Sequence, residues 1–158
     1  MSFTTIYETA MKPEWLDDNR ILRNAYVPLI FSLATDAFMD RIGIDAAYRA
    51  RTACTLYTLE SHLHFLRQVA ATDVVKVDAH ILDFDKKRIH LALELRVANS
   101  ADVVAASEWV LLHVHQGDKP AAASLAAEVE RAIVEFRAAD TAEPWQGPRS
   151  RTITVENA

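Results

Sequence analysis

The chain has 158 residues, of which 51% are hydrophobic and 25% charged, with a net charge of −5. That length suits one domain with its own core, and an acidic balance without any basic block excludes electrostatic binding to nucleic acid. Three widely spaced glycines exclude the glycine-rich phosphate loops, and the single Cys54 precludes an intramolecular disulfide and fits a reducing cytoplasm.

The N-terminal residues MSFTTIYETAMK lack the basic and apolar blocks of a secretory signal. Phe3 to Met11 reads as a first strand, and Pro13 to Arg23 as a polar, irregular lead-in. Asn24 to Gly43 then predicts a long helix. Tyr26, Leu29, Ile30, Leu33, Ala37, Phe38 and Ile42 fill one broad face, while Val27, Phe31, Ala34 and Met39 spread onto the other. Only Ser32, Thr35, Asp36 and Asp40 make a polar stripe. Two aspartates and a short apolar run argue against a membrane span, so the helix belongs at the centre of a domain. Gly43 stands where a left-handed C′ residue is wanted.

Asp45 to Arg51 predicts a short helical turn. Four strand-like runs follow, at 55–66, 74–84, 88–97 and 103–115. In the first, Tyr57, Leu59, Leu63 and Phe65 are expected on one face, with Thr58, Glu60, His62 and His64 on the other. Short connections make such runs antiparallel neighbours. The expected fold class is α+β, with an antiparallel sheet curled around one long helix. Ala121 to Ala139 predicts a last helix carrying Leu125, Val129, Ile133 and Phe136 on one side. The domain is expected to span 1–139, and 140–158, which holds Pro144, Gly147 and Pro148, to be an extended tail.

A long helix followed by a curved antiparallel sheet is the order of the hotdog fold. The sequence also resembles the 4-hydroxybenzoyl-CoA thioesterase-like family of acyl-CoA thioesterases. The residues that carry the resemblance are KPEWLDDN, ATDAFMDRIGID with AAYRAR, YTLESHLHFL, LDFDKKRIHLALEL and AASEWVLLHVH, in that order. Within the family, the carnitine-pathway thioesterases acting on betainyl-CoA are the nearest in character. Relatives usually continue the lead-in aspartate as D-x-N-G-H-M-N. Here Asp17 and Asn19 match, but Arg20 stands at the glycine, Ile21 at the histidine and Arg23 at the last asparagine.

The resemblance implies that Asp17 acts as nucleophile or general base, with backbone N–H groups near the helix start polarising the thioester carbonyl. A plainer reading of Asp17 is a turn cap. Glu60 and His62 share a strand face and are expected near the acyl pocket, as alternatives to a solvated outer face. Trp15, next to Asp17, is expected to offer an aromatic face to a quaternary ammonium. Asn19 and Tyr26 are further substrate-binding candidates. Asp36, one turn from Asp40, is an alternative acid on the helix, and Arg88 in the hairpin is a candidate for CoA phosphates. His62 with His64, and His113 with His115, are spaced as strand metal ligands, but the family requires no metal and none is expected. Nor is a cofactor, coenzyme A entering only as part of the substrate. The expected assembly is a homodimer or dimer of dimers, cytoplasmic, with neither membrane nor nucleic acid as partner. Two functions compete with hydrolysis: a catalytically silent hotdog that binds acyl-CoA or serves as an assembly partner, and a hydratase on the same fold.

Overall fold

The structure is a computed structural model that describes residues 4–140 and 145–155. Six strands form one antiparallel sheet: β1 (Thr5–Ala10), β2 (Cys54–Phe65), β3 (Val74–Phe84), β4 (Arg88–Val97), β5 (Val103–His115) and the short β6 (Ala121–Ala122). The order is β1-β3-β4-β5-β2, with β6 alongside the end of β5. All pairings are antiparallel, as the short connections require. Phe3, where the first strand was expected to begin, lies outside the described residues.

One expectation is corrected. β2 and β3 follow each other in sequence but are not neighbours, since β2 pairs with β5 at one edge. Three strand spacings of about 4.8 Å separate them, a gap that residues 66–73 bridge easily at about 3.3 Å per extended residue. That connection therefore runs over the end of the sheet, against the lead-in.

Helix α1 (Tyr26–Arg41) packs on one face of the sheet. Its end is closed by Gly43, φ +86°, whose N–H donates to Asp40 O while Ile44 N–H donates to Met39 O. This pair of bonds satisfies the last carbonyls in the manner a left-handed C′ residue permits. The buried side is Val27, Ile30, Phe31, Ala34, Thr35, Phe38 and Met39. Leu29, Ser32, Asp36 and Asp40 face out, so the sheet wraps one side of the helix and not its whole circumference. Helix α2 (Ala46–Thr52) starts on Asp45, whose carboxylate accepts Tyr48 N–H at 2.8 Å.

The last helix, α3, covers Ala127–Ala139 and begins later than expected. Ala121 and Ala122 are held by β5, and the backbone N–H groups of Ala123 and Leu125 donate to His113 O and Lys86 O, which keeps this stretch extended. Val129, Ile133 and Phe136 face the core, and the Phe136 ring meets Phe38 edge-on at 5.4 Å.

The helix-bearing face of the sheet is apolar: Val75, Val77 and Ala79 on β3, Leu91, Leu93 and Leu95 on β4, Trp109 and Leu111 on β5. In β2 the expected alternation breaks. Leu56 and Leu63 both pack on the core despite an odd separation, because a bulge between Thr58 and Glu60 inserts one residue. Tyr57 and Leu59 therefore do not share a face with Leu63, and both are exposed.

The opposite face carries Asp78, His80, Glu94, Arg96 and Glu108, all buried. The tail lies over Glu94 and Glu108, Asp140 meets His80, and Asp78 is enclosed by Thr5 and Arg96. Trp145, 8% exposed, sits on Ala92 and Ala106, and its Nε1–H donates to Glu94 at 3.0 Å. Ser150 donates to Glu108 at 2.7 Å. Residues 145–150 of the tail are a cover for this face of the sheet.

Candidate active site

Residues 15–23 form a tight loop built around the Asp17 carboxylate. Oδ1 accepts the backbone N–H groups of Asn19 and Ile21, each at 2.9 Å. The backbone closes the same loop, with Asp17 N–H donating to Ile21 O and Arg20 N–H to Asp17 O. Arg20 completes it at φ +61°, the left-handed region that glycine favours. The loop is then stitched to the connection after β2: Leu22 N–H donates to Val69 O, Ala71 N–H to Arg20 O, and Ile21 pairs with Ala70.

Between these two segments and the start of α1 lies a groove of about 610 Å³. Asp17 is on its wall, together with Asn24, Ala25 and Val27 from the helix start and Leu95 and Val104 from the sheet. The N-cap residue Ala25 supplies no side-chain cap. Tyr26 N–H donates to Arg23 O, Val27 N–H donates to Asn24 O and Pro28 has none. The N–H groups left without an acceptor among the described residues at this helix start are therefore those of Asn24 and Ala25, both on the groove wall near the positive end of the helix dipole. A carboxylate beside a helix N-terminus, over an apolar floor, can activate a water while backbone donors hold an oxyanion.

The remaining candidates are distributed as follows. Asn19 is exposed on the Asp17 loop and contributes its backbone N–H to Asp17. Trp15 is 3% exposed, stacked on Tyr26 at 6.1 Å and covered by Lys12 Nζ at 5.0 Å from its ring. Its π-face already holds a cation, so it is not offered to a substrate. Tyr26 is half-buried in that stack.

Glu60 and His62 share a face, but they pair with Val110 and Glu108 on the side away from Leu63 and the groove. Within one chain they do not meet Asp17. The His62 ring instead lies 4.6 Å from that of His64. Asp36 lines a separate groove of about 380 Å³ with Asp40, Arg49 and Thr55. Twelve helical residues, roughly 18 Å at 1.5 Å each, separate it from Asn24. Arg88 is bound to Asp85 at 2.6 and 2.8 Å across the β3–β4 turn, which lowers the Asp85 carboxyl to about 2. It stands roughly 23 Å along β4 from Leu95, at about 3.3 Å per residue.

Among the described residues no three His, Cys, Asp or Glu side chains converge as a metal would need. His113 is fully engaged: its Nδ1–H donates to Ala123 O at 2.9 Å, which leaves Nε2 to accept the Tyr48 hydroxyl at 3.0 Å. Arg67, Val69 and Val104 line the groove without having been singled out in the sequence, and Arg23, noted there only as a departure from the family motif, lines it too. Their common signal is adjacency to segment ends, which no periodicity reports.

The fold and this groove define a class, and the comparisons with known proteins agree on it. Residues 11–142 match the Thioesterase-like superfamily, to which the chain belongs. The sequence is 43% identical over 125 residues to the betainyl-CoA thioesterase of Pseudomonas aeruginosa, covering 79% of this chain and 78% of the relative. Among solved structures, a provisionally assigned thioesterase of Pseudomonas putida KT2440 superposes with a TM-score of 0.84 at 35% identity, over 98% of both chains. A Staphylococcus aureus protein solved in complex with CoA superposes at 0.88 with 23% identity, again over 98% of both chains, a likeness of fold.

Proposed function

We propose that this protein hydrolyses betainyl-CoA to free betaine and CoA. The observation that carries the reading is Asp17 on the wall of a groove that also contains Asn24 and Ala25, whose backbone N–H groups have no acceptor among the described residues. With the thioester carbonyl oxygen at the Asn24 and Ala25 N–H groups, Asp17 takes a proton from water as the water oxygen attacks the carbonyl carbon. The tetrahedral intermediate then expels the CoA sulfur, which leaves as the thiol after protonation. Asp17 Oδ1 is committed to its own loop, so the basic lone pairs are those of Oδ2. The betainyl group carries its quaternary nitrogen one methylene from the carbonyl carbon, and the Asp17 carboxylate is therefore close enough to favour that cation. Betaine specificity in this reading comes from charge rather than from an aromatic box.

The silent-binder alternative rests on the changed motif residues Arg20, Ile21 and Arg23. Arg20 nonetheless adopts the left-handed conformation that glycine favours at that position. The 43% identical relative favours turnover as well.

The reading includes a homodimer. β2 is a twelve-residue strand at the edge of the sheet, with no strand paired to its outer side among the described residues. Tyr57, Leu59 and Phe65 along it, and Leu29 on α1, are exposed apolar side chains. A long, apolar free edge is stable only when paired or covered, and a second copy of β2 is self-complementary about a twofold axis. No helix among the described residues is long and apolar enough to cross a membrane; the free Cys54 suits the cytoplasmic setting the reading adopts.

The test is free-thiol release with betainyl-CoA, acetyl-CoA and 3,3-dimethylbutanoyl-CoA, the last an uncharged isostere of the first. The expected order puts betainyl-CoA first by at least tenfold in kcat/KM. Equal rates for the charged and uncharged isosteres would remove the betaine assignment, and no thiol from any substrate would return the silent binder.

A further inference from the structure

The groove is electrostatically divided. Asp17 is its only carboxylate, and two guanidinium groups, Arg23 and Arg67, line it from different segments. Arg23 closes the lead-in loop and Arg67 opens the connection after β2. The antiparallel bridge Ile21–Ala70 and the Leu22–Val69 bond set the register between these segments. Continued by one step, that register puts Arg23 opposite Gln68 and next to Arg67.

Neither arginine is needed where it stands. Both are exposed. Arg67 meets Asp102 at 2.8 Å, but the two side chains are 62% and 55% exposed, a kind of pair that contributes little to stability. Arg23 donates Nε–H to Leu16 O, and its Nη groups have no partner among the described residues. Two forked donors at one mouth are suited to phosphate oxygens, which they can grip in pairs. They are equally unsuited to the other end of the substrate, because a quaternary ammonium would be repelled there.

We propose, resting on the thioesterase reading above, that Arg23 and Arg67 form the phosphate clamp of this groove. They hold a phosphate of the CoA moiety and so orient the thioester with its acyl end at Asp17. They are positioning residues and touch no reacting atom. This assignment moves the phosphate contact from Arg88, which is occupied by Asp85 at the far end of β4, to the mouth of the groove itself.

The experiment compares Arg23→Gln, Arg67→Gln and Arg67→Lys with the unaltered protein on three thioesters of the same acyl group: CoA, 3′-dephospho-CoA and pantetheine. Each Gln variant is expected to raise KM for the CoA thioester about tenfold with kcat within twofold, the size of one lost charge-assisted contact. KM for the pantetheine thioester is expected to stay unchanged. Retention of the effect on the 3′-dephospho substrate assigns the diphosphate, and its loss assigns the 3′-phosphate. Arg67→Lys, which keeps the charge and loses the fork, falls between. Asp102→Asn, which frees Arg67, leaves KM unchanged or lower. A KM rise of equal size on the pantetheine thioester, or none on the CoA thioester, overturns the clamp. Should no thioester be turned over at all, calorimetric titration with free CoA and with pantetheine still decides it. The clamp then requires CoA to bind more tightly than pantetheine, with the difference abolished by the Gln variants, and equal affinities refute it.

Discussion

Asp17→Asn and Asp17→Ala together separate the loop-holding role that the structure shows for this carboxylate from its proposed role as the base. Oδ1 holds the loop by accepting two backbone N–H groups, and in asparagine the retained carbonyl oxygen can accept the same pair. The fold should therefore survive the change with a loss well under 1 kcal/mol, as for exchanges among good capping residues. Alanine removes the acceptor and strands both donors, which costs about 0.5–2 kcal/mol. In a protein of this size that lowers Tm by roughly 2–4 °C per kcal/mol. Turnover should divide the two variants differently. Either one removes the base, so both should lose at least ~100-fold in kcat, the low end for general base catalysis. The assay is thiol release at saturating betainyl-CoA beside differential scanning fluorimetry. An asparagine variant with near-normal kcat refutes the base assignment. An alanine variant with unchanged Tm refutes the loop-holding role.

Arg20→Gly replaces a residue at φ +61° by the one that adopts that conformation without strain. Relief of about 1 kcal/mol, partly offset by unfolded-state entropy, should leave Tm unchanged or slightly raised with turnover retained; a drop of several degrees would show that the Arg20 side chain does more than occupy the turn. Leu59→Asp puts a charge on the 56% exposed bulge residue of the β2 edge and should convert the proposed dimer into a 17.7 kDa monomer by light scattering; a dimer mass retained in the variant would refute pairing through β2. Burial alone would lower the His80 imidazole, but the flanking Glu94 at 3.6 Å and Asp140 at 2.9 Å raise it above its ordinary 6.5. A group raised in the folded state contributes fully below 6.5 and loses that contribution as pH rises through its folded value. Stability measured by urea melts should accordingly decline from pH 6.5 upward in the unaltered protein and less so in His80→Gln; parallel profiles would remove His80 from the account.

Local patterns in the sequence determined much of the architecture. Period-two alternation located β3 and β4, and a continuous apolar run located β5, to within a residue, because strands on a core must present apolar side chains to it. The helix expected over Asn24 to Gly43 runs Tyr26–Arg41, starting two residues later, and its stop at Gly43 was legible because a left-handed C′ residue acts within one turn. The lead-in Asp17 was singled out by resemblance, together with the turn-cap alternative, and its carboxylate does cap its own loop.

Only the tertiary structure decided what depends on distant segments. The bulge at Leu59 shifted the faces of β2, and one inserted residue leaves no signature in composition. Sheet order placed Glu60 and His62 away from the groove, although they share a strand face as expected. Trp15 looked available beside Asp17, but the turn of the chain buried it between Lys12 and Tyr26. The tail read as a featureless extension because its partners, Glu94 and Glu108, lie on other strands. Hydrophobic period and turn chemistry are local quantities, readable along the chain. Which face meets which, and which charges share a groove, are fixed by pairings across many residues, and those exist only once the sheet has closed around the helix.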